Sequence, residues 1–329
     1  MMRSSENSEK KREIARRLRE CSSVAITCHL RPDGDCIGSA LGLMHSLRLL
    51  GKRAEVYNVD PTPCFLKKLP GAGEIKLGEV PPDFQCVVFM ETSALDRSGQ
   101  RWKGDFSIHI DHHRTSEEFA DLNWIEPDRS SVGEMVFELL MEYNFPIDEK
   151  VATCLYAAIF SDTGGFRFSN TSALSFKYAS FLVQAGADPA RVSRIILESH
   201  RREEIFLLQR MLSTLRFHPS GKVVAVFLFR KFLQELNLQL HDVETETVMN
   251  ILRSVEDVEI AMIFKELEKG FRVSLRSKGK ADVGLLAEAY GGGGHPQAAG
   301  FNINLPPEKA LQEVYQRIEE MFPWVRKPE

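Results

Sequence analysis

The residues of this 329-residue sequence best suited to chemistry fall into short clusters of histidine and acid. The first is His29-Leu30-Arg31-Pro32-Asp33-Gly34-Asp35, which puts an imidazole and two carboxylates on one tight loop. Such donors suit hard divalent ions such as manganese or magnesium. A plain Pro-Asp-Gly turn with a stray histidine is the competing interpretation. The second is Asp111-His112-His113, whose adjacent imidazoles could supply one metal ligand and one phosphate-facing proton donor or Lewis base. A polar strand end would look the same. The third, Ser161-Asp162-Thr163-Gly164-Gly165, offers one acid in a setting that also reads as an ordinary turn. One further acid, Glu91, follows the apolar run Val87-Val88-Phe89-Met90. Each cluster is weak alone. Their recurrence at the ends of successive elements is the signal, because a parallel sheet gathers such ends on one edge.

The elements that would do this gathering can be read from periodicity. Residues 24–27, 54–59, 84–90 and 106–110 are expected strands, and 37–50, 131–143 and 148–160 expected helices, with Gly51 as a helix stop. Strands alternating with helices imply an α/β fold with a mostly parallel sheet and helices on both faces. Residues 172–217 read as helical throughout, broken once at Gly186-Ala187-Asp188-Pro189, where Asp188 suits an N-cap and Pro189 the first helical position. His218-Pro219-Ser220-Gly221 marks a boundary. A smaller C-terminal α/β region with a mixed sheet follows, with strands near 222–229, 259–266 and 270–276 and helices near 243–254, 282–290 and 307–322. The expected domains are a catalytic domain over 10–190, a helical linker over 191–219 and a substrate-binding domain over 220–325. The basic run from Lys10 to Arg19, with Ile14 and Leu18 at helical spacing, is expected to be a solvated helix face. Trp102, Trp124 and Trp324 are expected to pack.

Composition narrows the function classes. A hydrophobic fraction of 43% and a charged fraction of 27% belong to a globular chain. No apolar run approaches the roughly 20 residues needed to span a bilayer, and residues 1–20 lack the apolar core of a secretory signal. The six cysteines (Cys21, Cys28, Cys36, Cys64, Cys86 and Cys154) form no C-x-x-C pair, which argues against a zinc knuckle and for reduced thiols. A cytoplasmic location follows as an expectation. A net charge of −4 lacks the basic excess of proteins that grip long nucleic acids. A nucleotide ligand would have to be short, with a few phosphates held locally.

The order His29-x-x-x-Asp33-x-Asp35, an acid after an apolar strand, Asp111-His112-His113 and Ser161-Asp162-Thr163-Gly164 resembles the DHH phosphoesterases. Arg276-Ser277, Gly291-Gly292-Gly293-Gly294-His295 and Ala298-Ala299-Gly300 resemble the DHH-associated C-terminal domain. The resemblance runs from about residue 10 to 325, and the domain pair is most similar to the oligoribonucleases of the nanoRNase type. Many of these also remove the 3′-phosphate of phosphoadenosine phosphate (pAp). It implies two divalent ions, usually manganese, with magnesium or cobalt as alternatives. One would be held by His29, Asp33 and the acid at position 91. The other would be held by Asp35, the same bridging acid, His112 and Asp162. His113 would face the substrate phosphate, and Asp111 would orient its neighbours. The family has Asp where this chain has Glu91, a longer side chain that moves the carboxylate by over about 1 Å in a site whose ions sit roughly 3.5–4 Å apart. Family members are often dimers, which leaves a homodimer open.

The glycine run could be a linker by composition alone. Its place within a domain, between an expected helix and His295, points instead to backbone N–H groups (Gly292, Gly293 and Gly294) that approach a phosphate, with a helix start beyond them adding a favourable dipole. Arg276, Ser277 and His295 would then hold the far end of a two- to five-nucleotide substrate. Arg97 and Arg114, just after two ligand loops, are candidate phosphate clamps, with plain surface arginines as the alternative. The implied function is metal-dependent hydrolysis of short oligonucleotides to nucleoside 5′-monophosphates, with pAp as a second substrate. The alternatives are a linear or cyclic dinucleotide phosphodiesterase and a nucleotide sensor whose catalysis is weakened by Glu91.

Overall fold

The computed structural model describes residues 2–199, 201–239, 243 and 245–326. It divides into two compact units, Met1–Ser199 and His200–Glu329. The first is built on a six-stranded, wholly parallel sheet of β1 (Ser23–Cys28), β2 (Arg53–Asn58), β3 (Lys76–Leu77), β4 (Cys86–Met90), β5 (Ser107–Asp111) and β6 (Leu122–Ile125). Their order is β3-β2-β1-β4-β5-β6. The chain walks outward one way from β1 to β3, then returns to β4 and walks the other way. The strand order therefore reverses between β1 and β4, and ligands of open α/β sheets bind at the carboxyl ends of such a pair.

The helices of this unit are α1 (Met2–Glu20), α2 (Gly34–Leu49), α3 (Val132–Glu142), α4 (Glu149–Asp162), α5 (Ala173–Gln184) and α6 (Pro189–Leu197). As expected, Asp188 caps α6 with Pro189 in its first turn. All six contribute to one apolar cluster, with Val24, Ile26, Val88 and Ile110 from the strands. The parallel α/β class stands, but the expected helices on both faces do not. On the opposite face Ala25, Tyr57, Val87 and Phe89 meet Val80, Phe84, Leu95, Trp102 and Phe119 from connecting segments. Right-handed crossovers place connections on opposite faces when the direction of travel reverses. Here the connections β4–β5 and β5–β6 are irregular, with only a short 3₁₀ turn at Leu95–Ser98.

Helix α1 also differs from expectation, because it is not solvated along its whole basic side. Ile14 and Leu18 are fully buried, and Lys11 is buried with its ammonium 2.7 Å from both Glu138 and Glu142. Burial opposes its charge, but the two acids outweigh that and raise its pKa. Trp124 is completely buried, as expected.

Helices α2 and α4 approach closely through glycine. A methyl group at Gly38 would lie 2.6 Å from the Cys154 carbonyl oxygen and 2.9 Å from the Ala158 methyl. Backbone cannot yield as a side chain can, so Gly38→Ala is expected to destabilise the first unit by about 1–3 kcal/mol. Urea unfolding checks this, and a change within about 0.5 kcal/mol would show that the helices can part at no cost. The contact matters because it brings the end of α4 beside the start of α2.

The second unit has α7 (Arg202–Leu212), β7 (Arg216–Phe217), β8 (Val223–Leu228), α8 (Arg230–Glu235), α9 (Glu246–Arg253), β9 (Ile260–Glu266), β10 (Phe271–Ser277), α10 (Val283–Glu288), β11 (Gly293–His295), β12 (Ala298–Ile303) and α11 (Pro307–Met321). Its sheet, ordered β11-β12-β10-β9-β8-β7, is mixed: β8 and β9 run parallel and the other pairs antiparallel. Apolar clusters cover both faces, one with α10 and α11, the other with α7, α8 and α9. Position 200 of the expected linker and position 244 of the helix expected at 243–254 lie outside the described residues. Strands β3, β6, β7, β11 and β12 and helix α8 were not anticipated. No helix among the described residues is long and apolar enough to cross a membrane.

Candidate metal centre

The carboxyl ends of β1, β4 and β5 and the facing ends of α2 and α4 bring six of the expected donors together. His29 follows β1, and Asp33 caps α2, its carboxylate accepting from the Asp35 and Cys36 amides at 3.0 and 3.1 Å. Asp35 lies in the first turn of α2 and Glu91 follows β4. His112 follows β5, whose last residue is Asp111, and Asp162 ends α4. The expectation put Asp162 beyond its helix, but the last turn of α4 includes it.

The donors form two groups joined by Glu91. His29 Nε2 lies 3.9 Å from Asp33 Oδ2 and 3.9 Å from Glu91 Oε2. His112 Nε2 lies 3.9 Å from Asp35 Oδ2, 3.8 Å from Glu91 Oε1 and 3.7 Å from Asp162 Oδ2. Glu91 therefore turns one carboxylate oxygen to each group. These separations exceed hydrogen-bond length, yet are short enough for two ligands to share one ion through bonds of about 2.1 Å. The Glu91 carboxylate is buried, and its Oε2 has no hydrogen-bond partner. Each imidazole is tied by its other nitrogen: His29 Nδ1 is 2.8 Å from the Leu30 carbonyl and His112 Nδ1 3.1 Å from that of Arg129. Those bonds place hydrogen on Nδ1 and leave Nε2 facing the acids, the arrangement of ligating histidines. The residues present fit divalent ions.

The backbone at position 91 is unusual. Glu91 has φ 52°, in the left-handed region that residues with a Cβ avoid, and its amide donates to the Ile110 carbonyl at 2.9 Å.

Asp35 is held by the start of α3. The Val132 and Gly133 amides donate to its two oxygens at 2.6 and 2.9 Å, and Ser39 Oγ donates at 3.1 Å. A helix N-terminus with free amides is a natural seat for a carboxylate. Asp111 is fully buried and accepts from the His112 amide at 2.7 Å, His113 Nδ1 at 2.8 Å and Ser116 Oγ at 2.6 Å. Burial opposes its ionisation, but bonds from His109 and His113 hold its pKa well below the carboxylate range. Among the described residues His113 Nε2 has no hydrogen-bond partner, and a donor atom of its ring lies near those of Glu91 and His112.

Crowded acids shift one another without an ion. Burial and then Asp162 push Asp35 up to about 7. Burial pushes Asp162 up to about 6, against His112. Burial, Asp33 and Asp35 raise Glu91 well above the usual range. His112 is raised as Asp35 and Asp162 outweigh its burial.

Some participants had no strong sequence signal. Cys36 also stands beside His29, Asp33 and Glu91, but burial raises its thiol pKa well above normal, and its sulphur accepts from the Asp33 amide at 3.3 Å. Asn170 Nδ2 donates to the Asp162 carbonyl at 3.0 Å, its carboxylate at 3.4 Å and the Ser130 carbonyl at 3.0 Å. Asn170→Ala is expected to weaken divalent-ion affinity about 10-fold, the lower range for groups that orient ligands. Manganese calorimetry reads this, and unchanged affinity would leave Asn170 as a loop tie only.

The remaining candidates of the first unit flank its donor loops, and the Arg97 carbonyl accepts from the Leu30 amide at 2.7 Å. Arg97 and Arg114 are exposed, and Arg114 lies 3.9 Å from Asp128. In the second unit Arg276 is paired with Glu246 at 3.1 Å, and buried Ser277 donates to Glu259 at 3.1 Å. The glycine run is not a loop before a helix. Gly293, Gly294 and His295 form β11, paired with Gly300, Ala299 and Ala298 of β12. The run leads into a strand and not a helix, so the expected dipole is absent. The short Pro296-Gln297 connection closes a hairpin, and a Cβ at Gly292 would lie 2.6 Å from that of Phe301.

Comparison with known proteins agrees with this anatomy. Residues 23–159 match the DHH family, N-terminal domain, and residues 221–322 match the DHHA1 domain. The chain is 31% identical over 317 residues to the bifunctional oligoribonuclease and PAP phosphatase NrnA of Thermus thermophilus, covering 95% of this chain and 94% of that one. It is 28% identical to the cyclic-di-AMP phosphodiesterase GdpP of Bacillus subtilis, over 92% of this chain and 48% of the relative. Among solved structures, an exopolyphosphatase-related protein from Bacteroides fragilis superposes with a TM-score of 0.86 at 25% identity, covering 97% and 98% of the two chains.

Proposed function

This chain belongs to the DHH family, and on that footing we propose that it hydrolyses short oligonucleotides to nucleoside 5′-monophosphates and removes the 3′-phosphate of pAp. It is a hydrolase acting on phosphate esters. The observation that carries the reading is the bridging position of Glu91 between two groups of donors, combined with similarity over nearly the full length to a relative named for both activities.

In this reading His29, Asp33 and Glu91 would hold one divalent ion and Asp35, Glu91, His112 and Asp162 a second, with manganese as the preferred metal. Such a pair, when bound, would supply a nucleophilic water near neutral pH and offset the charge that develops on the phosphoryl oxygens. The chain's own part is positional. Asp111, ionised and fixed by His113, keeps that imidazole oriented with Nε2 toward the bound phosphate. There His113 donates a hydrogen bond or proton as negative charge builds on the phosphoryl group. The Val132 and Gly133 amides at the start of α3 fix the Asp35 carboxylate in place. The domain over 220–325 is assigned to the distal end of the substrate, with Arg276, Ser277, Gly292, Gly293, Gly294 and His295 as its contacts and Arg97 and Arg114 as further clamps. A cytoplasmic homodimer completes the proposal.

The likeness to GdpP favours a second reading, a linear or cyclic dinucleotide phosphodiesterase. The sensor alternative is disfavoured, since Glu91 reaches both donor groups. The test is product formation from a 5′-labelled diribonucleotide, with pAp and cyclic di-AMP in parallel, in manganese and in magnesium, for wild type and Asp111→Ala/His112→Ala. Manganese-dependent monophosphate release lost in the variant is expected. Turnover of cyclic di-AMP alone would select the second reading, and no turnover by folded, metal-loaded wild type would sink both.

A further inference from the structure

We propose that Phe168 is a base-stacking residue of this centre, holding the nucleobase of the nucleotide whose phosphate lies at the acid–histidine groups; this rests on the nucleotide reading above. The segment after α4 is tightly built. Gly164 and Gly165 have φ of 58° and 69°, and Phe166 has φ 64°, a left-handed state unfavourable for a residue with a side chain. The Arg167 and Phe168 amides both donate to the Thr163 carbonyl, at 2.9 and 3.0 Å. Thr163 Oγ1 accepts from the Phe166 amide at 3.1 Å and donates to the Ile159 carbonyl at 2.6 Å. Asn170 then returns the chain to Asp162. A short segment with strained backbone thus leaves and rejoins one of the six donors.

Two phenylalanines leave this segment in different ways. Phe166 turns inward, with ring centroids 5.9 Å from Phe160 and 5.1 Å from Phe176. Phe168 instead lies against the Gly164 backbone: a Cβ there would fall 2.5–2.6 Å from three of its ring carbons. It is 42% exposed, joins none of the apolar clusters and makes no ring contact among the described residues. Solvent-exposed aromatic rings fixed beside a phosphate site suit nucleobases, because every base offers a π-face. Charge points the same way. Arg167 Nε donates to the Gly164 carbonyl at 2.6 Å, and among the described residues no carboxylate pairs with it, so an uncompensated cation accompanies the ring. A flat apolar surface with an adjoining cation fits a nucleotide better than inorganic phosphate or polyphosphate, which has no base to stack.

The experiment compares Phe168→Ala, Phe168→Leu and Phe168→Tyr on a diadenosine dinucleotide and on the same phosphodiester with both bases removed. For the dinucleotide, Ala and Leu are expected to lower kcat/KM about 5- to 100-fold, mostly through KM, from the loss of one stacked base. Tyr should stay within about 2-fold, since its ring stacks as well. The abasic phosphodiester should be hydrolysed alike by all four proteins. Equal losses on both substrates would mean that the ring only props Asp162, and no loss would mean that it does not touch the base; either overturns the proposal. Should wild type hydrolyse neither substrate, the hydrolytic reading falls separately. Calorimetry with AMP and ribose 5-phosphate then decides: a preference for AMP that Phe168→Ala abolishes upholds the stacking site, and no such preference overturns it.

Discussion

Glu91→Gln is expected to lower kcat by about 1,000-fold or more, because it neutralises the carboxylate that serves both donor groups. The same change should stabilise the metal-free protein. Glu91 is buried with one oxygen unpartnered and with Asp33 and Asp35 raising its pKa, so its charge near pH 7 costs folding energy. Removing that charge is expected to raise metal-free stability by about 1–3 kcal/mol, the usual penalty for an unsatisfied buried group. Glu91→Asp is the sharper comparison. With the backbone at φ 52°, the shorter side chain pulls the carboxylate back from both His29 and His112. A displacement near 1 Å is expected to reduce turnover about 100-fold. Steady-state kinetics at saturating manganese, with thermal melts in chelator, measure both effects. A rise in turnover for Glu91→Asp would mean that the glutamate brakes catalysis and that this geometry is not the working one.

Manganese is expected to stabilise the protein more at pH 8 than at pH 5. Without an ion, Asp35 and Asp162 titrate near 7 and 6 and Glu91 is also raised, whereas unfolded carboxyls titrate near 4. Between about pH 4 and 7 the folded state therefore binds more protons than the unfolded one. Stability from these groups is fully present below the unfolded value and is lost as pH rises through the folded values. Metal ions compete with those protons, so their effect grows as the protons leave. At one hundred times Kd, one ion contributes about 2.7 kcal/mol, or roughly 5–10 °C for a unit of this size. Thermal melts of the first unit in manganese and in chelator, from pH 5 to pH 8, test this. A shift that is larger at pH 5, or none at pH 8, would contradict it.

Much of the centre was visible without coordinates because its donors are local in sequence and chemically conspicuous. His29, Asp33 and Asp35 share one loop, Asp111, His112 and His113 are contiguous, and Glu91 follows an apolar run of strand length. A parallel sheet brings strand ends together by construction, so recognising the strands sufficed to group the donors. What remained hidden depended on distant contacts. The Val132 and Gly133 amides meet Asp35 only because α3 crosses the start of α2, and Asn170 reaches Asp162 only after a left-handed turn at Phe166.

The same division applies to the fold. Residue type and period by themselves determined the parallel α/β class, the break at Asp188-Pro189 and the mixed second sheet, since these follow from local pattern and proline geometry. Only tertiary structure decided which face the helices cover, because that depends on the direction in which the chain crosses the sheet. It also decided that Lys11 is buried between two acids and that the end of the glycine run, Gly293 and Gly294, is a strand. Composition cannot separate a flexible loop from a hairpin edge, as glycine permits both; the partner across the pair, Ala298–Gly300, makes the choice.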